Sequence, residues 1–431
     1  YLPSARMRMQ ATRQRMSIRF LRWSGWAAGA ILAAHLAAQS SIFHILSSPN
    51  PSNQGNTING ITTVPHSGLW AVGYSGSNFP TNETVTLIER FDGSNWTVVP
   101  SPNPGHQTAG CPADETANVL NAVAGTSATD IWAVGYYFNC ASLINLEPLI
   151  LHWNGTQWTV ALASILNTAG NNALNGVVAF SPTNAYAVGY QANPSNGAVL
   201  TLVEHWDGTS WTVVPSPNAN PNGNSLNAVA GASPSDIWAV GSQVHQANTS
   251  DLTLIEHFDG VQWKLVPSPN PLTGNLDQNI LNSLVAVSPD NVAAVGFLLN
   301  SAIPNALTLV ERWDGTSWRV VPSPNVSTAP SDANHLNAVA ALSASDMYAV
   351  GWFEDAATSG QHRTLIEHFD GSAWSIIPGP VKGLGQHLNA VFAIPGTRNI
   401  WVGGAFSVNG TDPEFGDLIV PQTLVLFTPG G

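Results

Sequence analysis

The sequence predicts an all-β fold, a seven-bladed β-propeller of four-stranded antiparallel blades, on three observations. A strand-like segment closing on Val-Gly, once on Gly-Gly, recurs seven times along the 431 residues. Each copy travels with further strand-like segments separated by turn residues. The last copy lacks its fourth segment, and a matching segment stands by itself near the N-terminus. A repeat near 55 residues with four short strands suits a propeller better than a sandwich.

Within a repeat, strand A carries Leu-Asn or Ile-Asn, as in Leu226-Asn227-Ala228-Val229. Its seven Asn residues are Asn59, Asn121, Asn175, Asn227, Asn282, Asn337 and Asn389. They read as side chains that satisfy backbone groups, with a ring at a channel mouth as the alternative. Strand B is the signature itself: residues 69–73, 131–135, 185–189, 237–241, 292–296, 347–351 and 400–404. Asp130, Asn184, Asp236, Asn291, Asp346, Asn399 or Gly68 precedes it, and these read as turn formers in left-handed backbone.

Strand C reads Thr-Leu-Val-Glu-His-Trp-Asp-Gly at 201–208, with Glu89, Glu204, Glu256, Glu311 and Glu367 each followed by His or Arg. Neighbouring strand residues point to opposite faces, so these pairs predict structural hydrogen bonds between blades, not an acid and base on one target. The Asp-Gly or Asn-Gly that follows predicts a tight hairpin into strand D. Strand D opens on Trp96, Trp158, Trp211, Trp263, Trp318 or Trp374, expected to pack blade on blade. Four copies of strand D end in Pro-Ser-Pro-Asn, which blunts an outer edge.

Ring closure follows from the ends. The seventh repeat has strands A to C at 388–394, 400–406 and 423–428. The segment Phe43 to Asn50 aligns with Trp96 to Asn103, so it is expected to complete blade seven.

Glu204-His205-Trp206-Asp207 followed by Trp211 and Pro215 resembles the Kelch repeat, with its Glu-x-aromatic-Asp and Trp-x-x-Leu-Pro segments. The likeness spans 41–431, although the double Gly of those repeats survives only at Gly403-Gly404. It implies a propeller of the galactose oxidase central-domain type. Some such rings are copper oxidases, which implies a candidate set of His106, His335, His387, Tyr136 and Tyr137 for copper.

Charged residues make up 9% of the chain, and no Asp or Glu precedes Glu83. Six of the 13 basic residues fall in the first 22 positions; beyond residue 40, 7 basic residues face 26 acidic ones, a balance of −19. Such a surface repels phosphate backbones, which argues against nucleic acid as partner. Residues 1–40 read as an export signal starting at Met16, with Arg19 and Arg22, an apolar run from Gly25 to Ala38, and small residues at the cleavage point. An uncleaved anchor is the alternative and the sole membrane link expected. The body, 41–431, is then a secreted or envelope domain, expected as a monomer. Cys111 and Cys140 are a candidate disulfide in such a compartment.

No zinc-protease, Walker or nucleophile-elbow motif occurs, and no cofactor is indicated. A sialidase would need an arginine cluster that this body lacks. The A–B and C–D turns are uniform and share one face. The D–A and B–C loops differ between repeats and share the other, where binding is expected. His106, Tyr137, His335, Trp352, Phe353 and His387 are the candidate ligand contacts there. The expected function is non-catalytic recognition of a glycan or protein, with a copper-dependent enzyme as the alternative and calcium as a further possible ion.

Overall fold

Strand pairing follows the predicted order. In the computed structural model, described for residues 42–76, 83–105, 116–138, 145–164, 170–245, 249–354, 360–394, 396–412 and 416–428, Asn56–Val64, Gly68–Gly76, Thr84–Phe91 and Trp96–Val98 pair in sequence, all antiparallel. The same four-stranded module recurs from Ala117 to Ala161, Ala173 to Val213, Asn224 to Leu265, Gln278 to Val320 and Ala333 to Ile376. In the last module, Gln386–Ala393, Ile400–Asp412 and Gly416–Phe427 take their fourth strand from the N-terminal side, His44–Leu46. The export segment, His106, Cys111 and Cys140 lie outside the described residues.

Each hydrophobic core is shared by two successive modules. Trp70, Val72 and Ile88 of the first pack with Leu120, Leu149 and Trp158 of the second. Ile58, Leu69 and Trp96 of the first also share a core with Ala390, Trp401 and Val425 of the last. Sheets thus stack face to face, and strands B and C, central in each sheet, are buried on both sides.

The Val-Gly signature has a steric cause. In every strand A the register slips at the Asn, as between Leu174 and Gly176, so Asn175 is the extra residue of a β-bulge. The bulge presses the backbone onto strand B. A Cβ on Gly189 would sit 1.9 Å from the Ala173 carbonyl oxygen, and Gly135 meets Val119 O equally closely. Only glycine fits.

The bulge also aims the Asn side chain at the next module. Asn59 Nδ2 donates to Leu120 O, Asn121 to Leu174 O, and Asn175 to Leu226 O, each at 2.9 Å. Asn227, Asn282 and Asn337 repeat this onto Leu281, Leu336 and Leu388, also at 2.9 Å. Asn389 Nδ2 reaches Ile58 O of the first module at 3.0 Å. The amides satisfy backbone carbonyls, as the first of the two sequence readings holds.

Strand D tryptophans lie between modules. Trp211 is 3% exposed and meets Trp132 of the preceding module edge-on, centroids 5.1 Å apart. Trp211→Ala is expected to cost about 3–5 kcal/mol; an unchanged denaturant midpoint would refute this packing role.

The strand C pairs split as alternation requires. All five Glu residues are fully buried. Ser48 Oγ donates to Glu89 at 2.5 Å, Ser216 Oγ to Glu256 at 2.6 Å and Ser323 Oγ to Glu367 at 2.7 Å, each from the preceding module. The Ser164 amide supplies Glu204. Neither oxygen of Glu311 has a partner among the described residues. Burial raises Glu89 and Glu204 to about 7, and Glu256, Glu311 and Glu367 to about 8.

The acids before strand B are not left-handed; of that set only Gly68 has positive φ, at 84°. Their side chains instead accept from the strand C base on the facing strand, as Asp236 does from His257 at 2.6 Å. The left-handed residue that recurs from module to module is in the C–D hairpin, where Gly93, Gly155, Gly208, Gly260, Gly315 and Gly371 follow an Asp or Asn. Asp92 Oδ1 there accepts the Ser94 and Asn95 amides, both at 2.8 Å.

Candidate functional site

In every module one pair of facing residues of the A–B ladder stands immediately on the loop side of the signature Gly. Strand A gives Thr57, Val119, Ala173, Ser225, Ile280, His335 and His387. Opposite them, just after the signature Gly, stand Tyr74, Tyr136, Tyr190, Ser242, Phe297, Trp352 and Ala405. Histidine occupies the strand A position in the last two modules only. No other module places an ionisable side chain at this strand A position.

Trp352 lies between two imidazoles. Its ring stacks on His335 at 4.2 Å and 11°, and on His362 at 3.9 Å and 19°. Phe297 of the preceding module closes against His335 at 4.1 Å. His362 Nδ1 and His387 Nε2, in successive modules, are 2.7 Å apart, while His362 Nε2 is 3.2 Å from Glu354 Oε2. The Gln386 amide donates to His362 O at 2.9 Å and fixes the base of the B–C loop against the last module.

Burial, with the neighbouring imidazoles second, lowers both His335 and His387 to about 4. Both are therefore neutral at pH 7. His362 Nδ1 and His387 Nε2 share one proton between them, with the direction set by the tautomer, and His362 Nε2 faces the Glu354 carboxylate. Imidazoles of such low basicity are weak proton acceptors at neutral pH. No Ser, Thr or Cys hydrogen-bonds to His335 or His387 among the described residues. The cluster is a rigid aromatic ledge with one carboxylate at its end, suited to holding a ligand.

Of the candidates read from sequence, His335, Trp352 and His387 come together here. His362 joins them; it is visible in the sequence as one of several loop aromatics, and only its contact with His387, 25 residues on, singles it out. Phe353 packs toward the core of the fifth and sixth modules. Tyr137 packs against the core of the first two and donates to Glu147 at 2.5 Å. Tyr136 holds the position that Tyr74 and Tyr190 occupy in the first and third modules. Neither tyrosine stands beside the imidazoles in a described contact. Among the described residues no three of His, Cys, Asp and Glu are grouped to hold a metal ion.

No protein-family model matches the chain, and no curated protein matches it. Two solved structures resemble it over most of its length. "YCF48 bound to D1 peptide" superposes with a TM-score of 0.50 at 12% identity, covering 90% of this chain and 96% of that one. "YCF48 from Cyanidioschyzon merolae" gives 0.50 at 11% identity, covering 90% and 98%. The likeness is one of fold: the chain is a β-propeller of repeated four-stranded antiparallel sheets.

Proposed function

We propose that the chain is a non-catalytic binding propeller that grips a protein segment on its divergent loop face, anchored at the Trp352 ledge. The observation that carries this reading is the break in repeat symmetry at His335, Trp352, His362 and His387. A near-uniform scaffold there becomes a fixed, asymmetric, partly apolar surface. Protein is favoured over glycan because both faces of Trp352 are already covered by imidazoles, which leaves no open indole face for a sugar ring. A propeller of similar fold has been solved with a D1 peptide bound, which supports the class of partner.

The finer architecture belongs to the same proposal: seven Kelch-like blades in a closed ring, with the N-terminal strand completing the seventh. Support comes from the pairing of His44–Leu46 with Val425–Phe427, the Asn389 bond to Ile58, and a cavity of about 240 Å³ lined by all seven bulge Asn residues. The N-terminal pattern of Arg19, Arg22 and the apolar run after them supports export, with the 41–431 body acting as a monomer outside the cytoplasm.

The test is selection of binding peptides from a displayed random library on the full chain. Selected peptides are expected to bind His362→Ala at least about tenfold more weakly, the loss of one charge-assisted or stacked anchor. They should bind Arg319→Ala, on an outer strand with its side chain 71% exposed, as they bind the parent. Equal loss in both variants, or no selection at all, would overturn the reading.

A further inference from the structure

The bulge asparagines spend only one end of each amide on the fold. Every Nδ2 is fixed on a backbone carbonyl of the next module, at 2.9 Å or 3.0 Å. The oxygens are not held in this way. Asn175 Oδ1 is met by Asn121 Nδ2, and Asn227 Oδ1 by Ser225 Oγ, both at 3.4 Å. The remaining asparagine oxygens accept no hydrogen bond among the described residues. All seven side chains line one cavity of about 240 Å³, and none of their oxygens is sealed away from it without a partner.

The lining of this cavity carries no charged side chain. Its one hydroxyl, on Ser283, accepts the Val339 amide at 3.3 Å. Beyond the asparagine layer the wall is apolar, with Ile61, Val177 and Leu284 in it. A planar amide held by its nitrogen leaves its oxygen as the freer end, so the layer presents mainly acceptors. Apolar walls weaken the screening of those dipoles. The body beyond residue 40, with its balance of −19, adds a negative background that draws in cations. The ionisable groups of strand A, His335 and His387, are neutral at pH 7 and do not oppose a positive charge.

We propose that the asparagine layer binds a divalent cation of the magnesium class that keeps its water shell. Water on such an ion is a strong donor, and the amide oxygens accept from it. Direct coordination by the ring would pull the amides inward and off the carbonyls that hold them. A cavity of this size, at roughly 30 Å³ per water, has room for an ion with about six waters. The site needs all seven modules around one axis, so it rests on the closed-ring reading. The Asn389 bond to Ile58 O is the contact that brings the last asparagine beside the first.

The test uses hexaamminecobalt(III), whose ammonia ligands do not exchange, so it imitates hydrated magnesium and admits no direct coordination. Crystals of the full chain grown with it should show anomalous cobalt density on the channel axis at the asparagine layer. In calorimetric titration at fixed ionic strength, magnesium chloride should compete with it for one site. Ser283→Asp places a carboxylate in the lining, keeps an acceptor for the Val339 amide and leaves every asparagine bond in place. It should tighten binding about tenfold. Asn227→Ala removes one acceptor and should weaken binding about three- to tenfold. A purely structural role for the ring would move neither affinity. Cobalt confined to surface carboxylates, as an adventitious ion only, or unchanged affinity in both variants, overturns the proposal while a closed ring in the same crystals stands. Crystals with an open ring overturn the closed-ring reading and this site with it.

Discussion

The melting temperature is expected to fall on the order of 10 °C between pH 5 and pH 9, because of the five buried strand C glutamates. Each has a folded pKa of about 7 or 8 against an ordinary value of 4.5, and burial is the first cause in every case. A carboxyl whose pKa is raised on folding holds its proton more tightly in the folded state. Its favourable share is complete below pH 4.5 and is lost as pH climbs through 7 and 8. A displacement from 4.5 to about 7 is worth about 3 kcal/mol per group. Glu311 is the sharpest case, since neither of its oxygens has a partner among the described residues. The equivalent positions in the second and last modules are Leu151 and Leu426, both fully buried, so Leu fits the site. Glu311→Leu should stabilise the fold, by about 3–4 kcal/mol more at pH 9 than at pH 5. Parallel denaturation curves of parent and variant at the two pH values measure this. A flat pH profile in the parent would show that these carboxyls titrate normally.

Gly189→Ala is expected to prevent folding, or to cost on the order of 4 kcal/mol where folding survives, at the upper end for overpacking. The added methyl would lie 1.9 Å from the Ala173 carbonyl oxygen and 2.9 Å from its carbon. These are backbone atoms inside a bulge that the Asn175 bond to Leu226 O holds in place. Relief would require undoing the bulge, which releases that bond to the next module. Gly197→Ala is the control: φ there is 71°, and nothing lies within 4 Å of the new Cβ. It should cost only the strain of left-handed backbone, about 1–2 kcal/mol. Similar midpoints for the two variants would mean that crowding is not what keeps glycine in the signature.

Sequence reasoning recovers the repeated strands because their apolar alternation and Asp-Gly turns are local signals. It does not reach the bulge at Asn175 or Asn227, because a bulge is a property of pairing and one strand alone does not display it. The acids before strand B mislead for a related reason. Asp and Asn are both turn formers and acceptors, and the base that meets Asp236 is His257, visible only once strands B and C are in register. At the candidate site, strand parity separates Trp352 from Phe353, yet the sequence alone does not say which of the two faces the loop-side cluster. His362 escapes the narrower set because its loop varies in length between repeats, so no fixed offset ties it to His387.

The pairing of His44–Leu46 with Val425–Phe427 also sets an order of events in time. Asn50 Oδ1 accepts the Thr423 amide from 373 residues away. At ribosomal speeds of 5–20 residues per second, roughly 20 to 75 s separate the emergence of the two partners. Throughout that interval the first strand has an edge to offer and no neighbour to receive it, while the intervening modules can already assemble. The last sheet is therefore completed only after residues 425–427 have been made. Any machinery that moves this protein while it is still being synthesised handles an open arc.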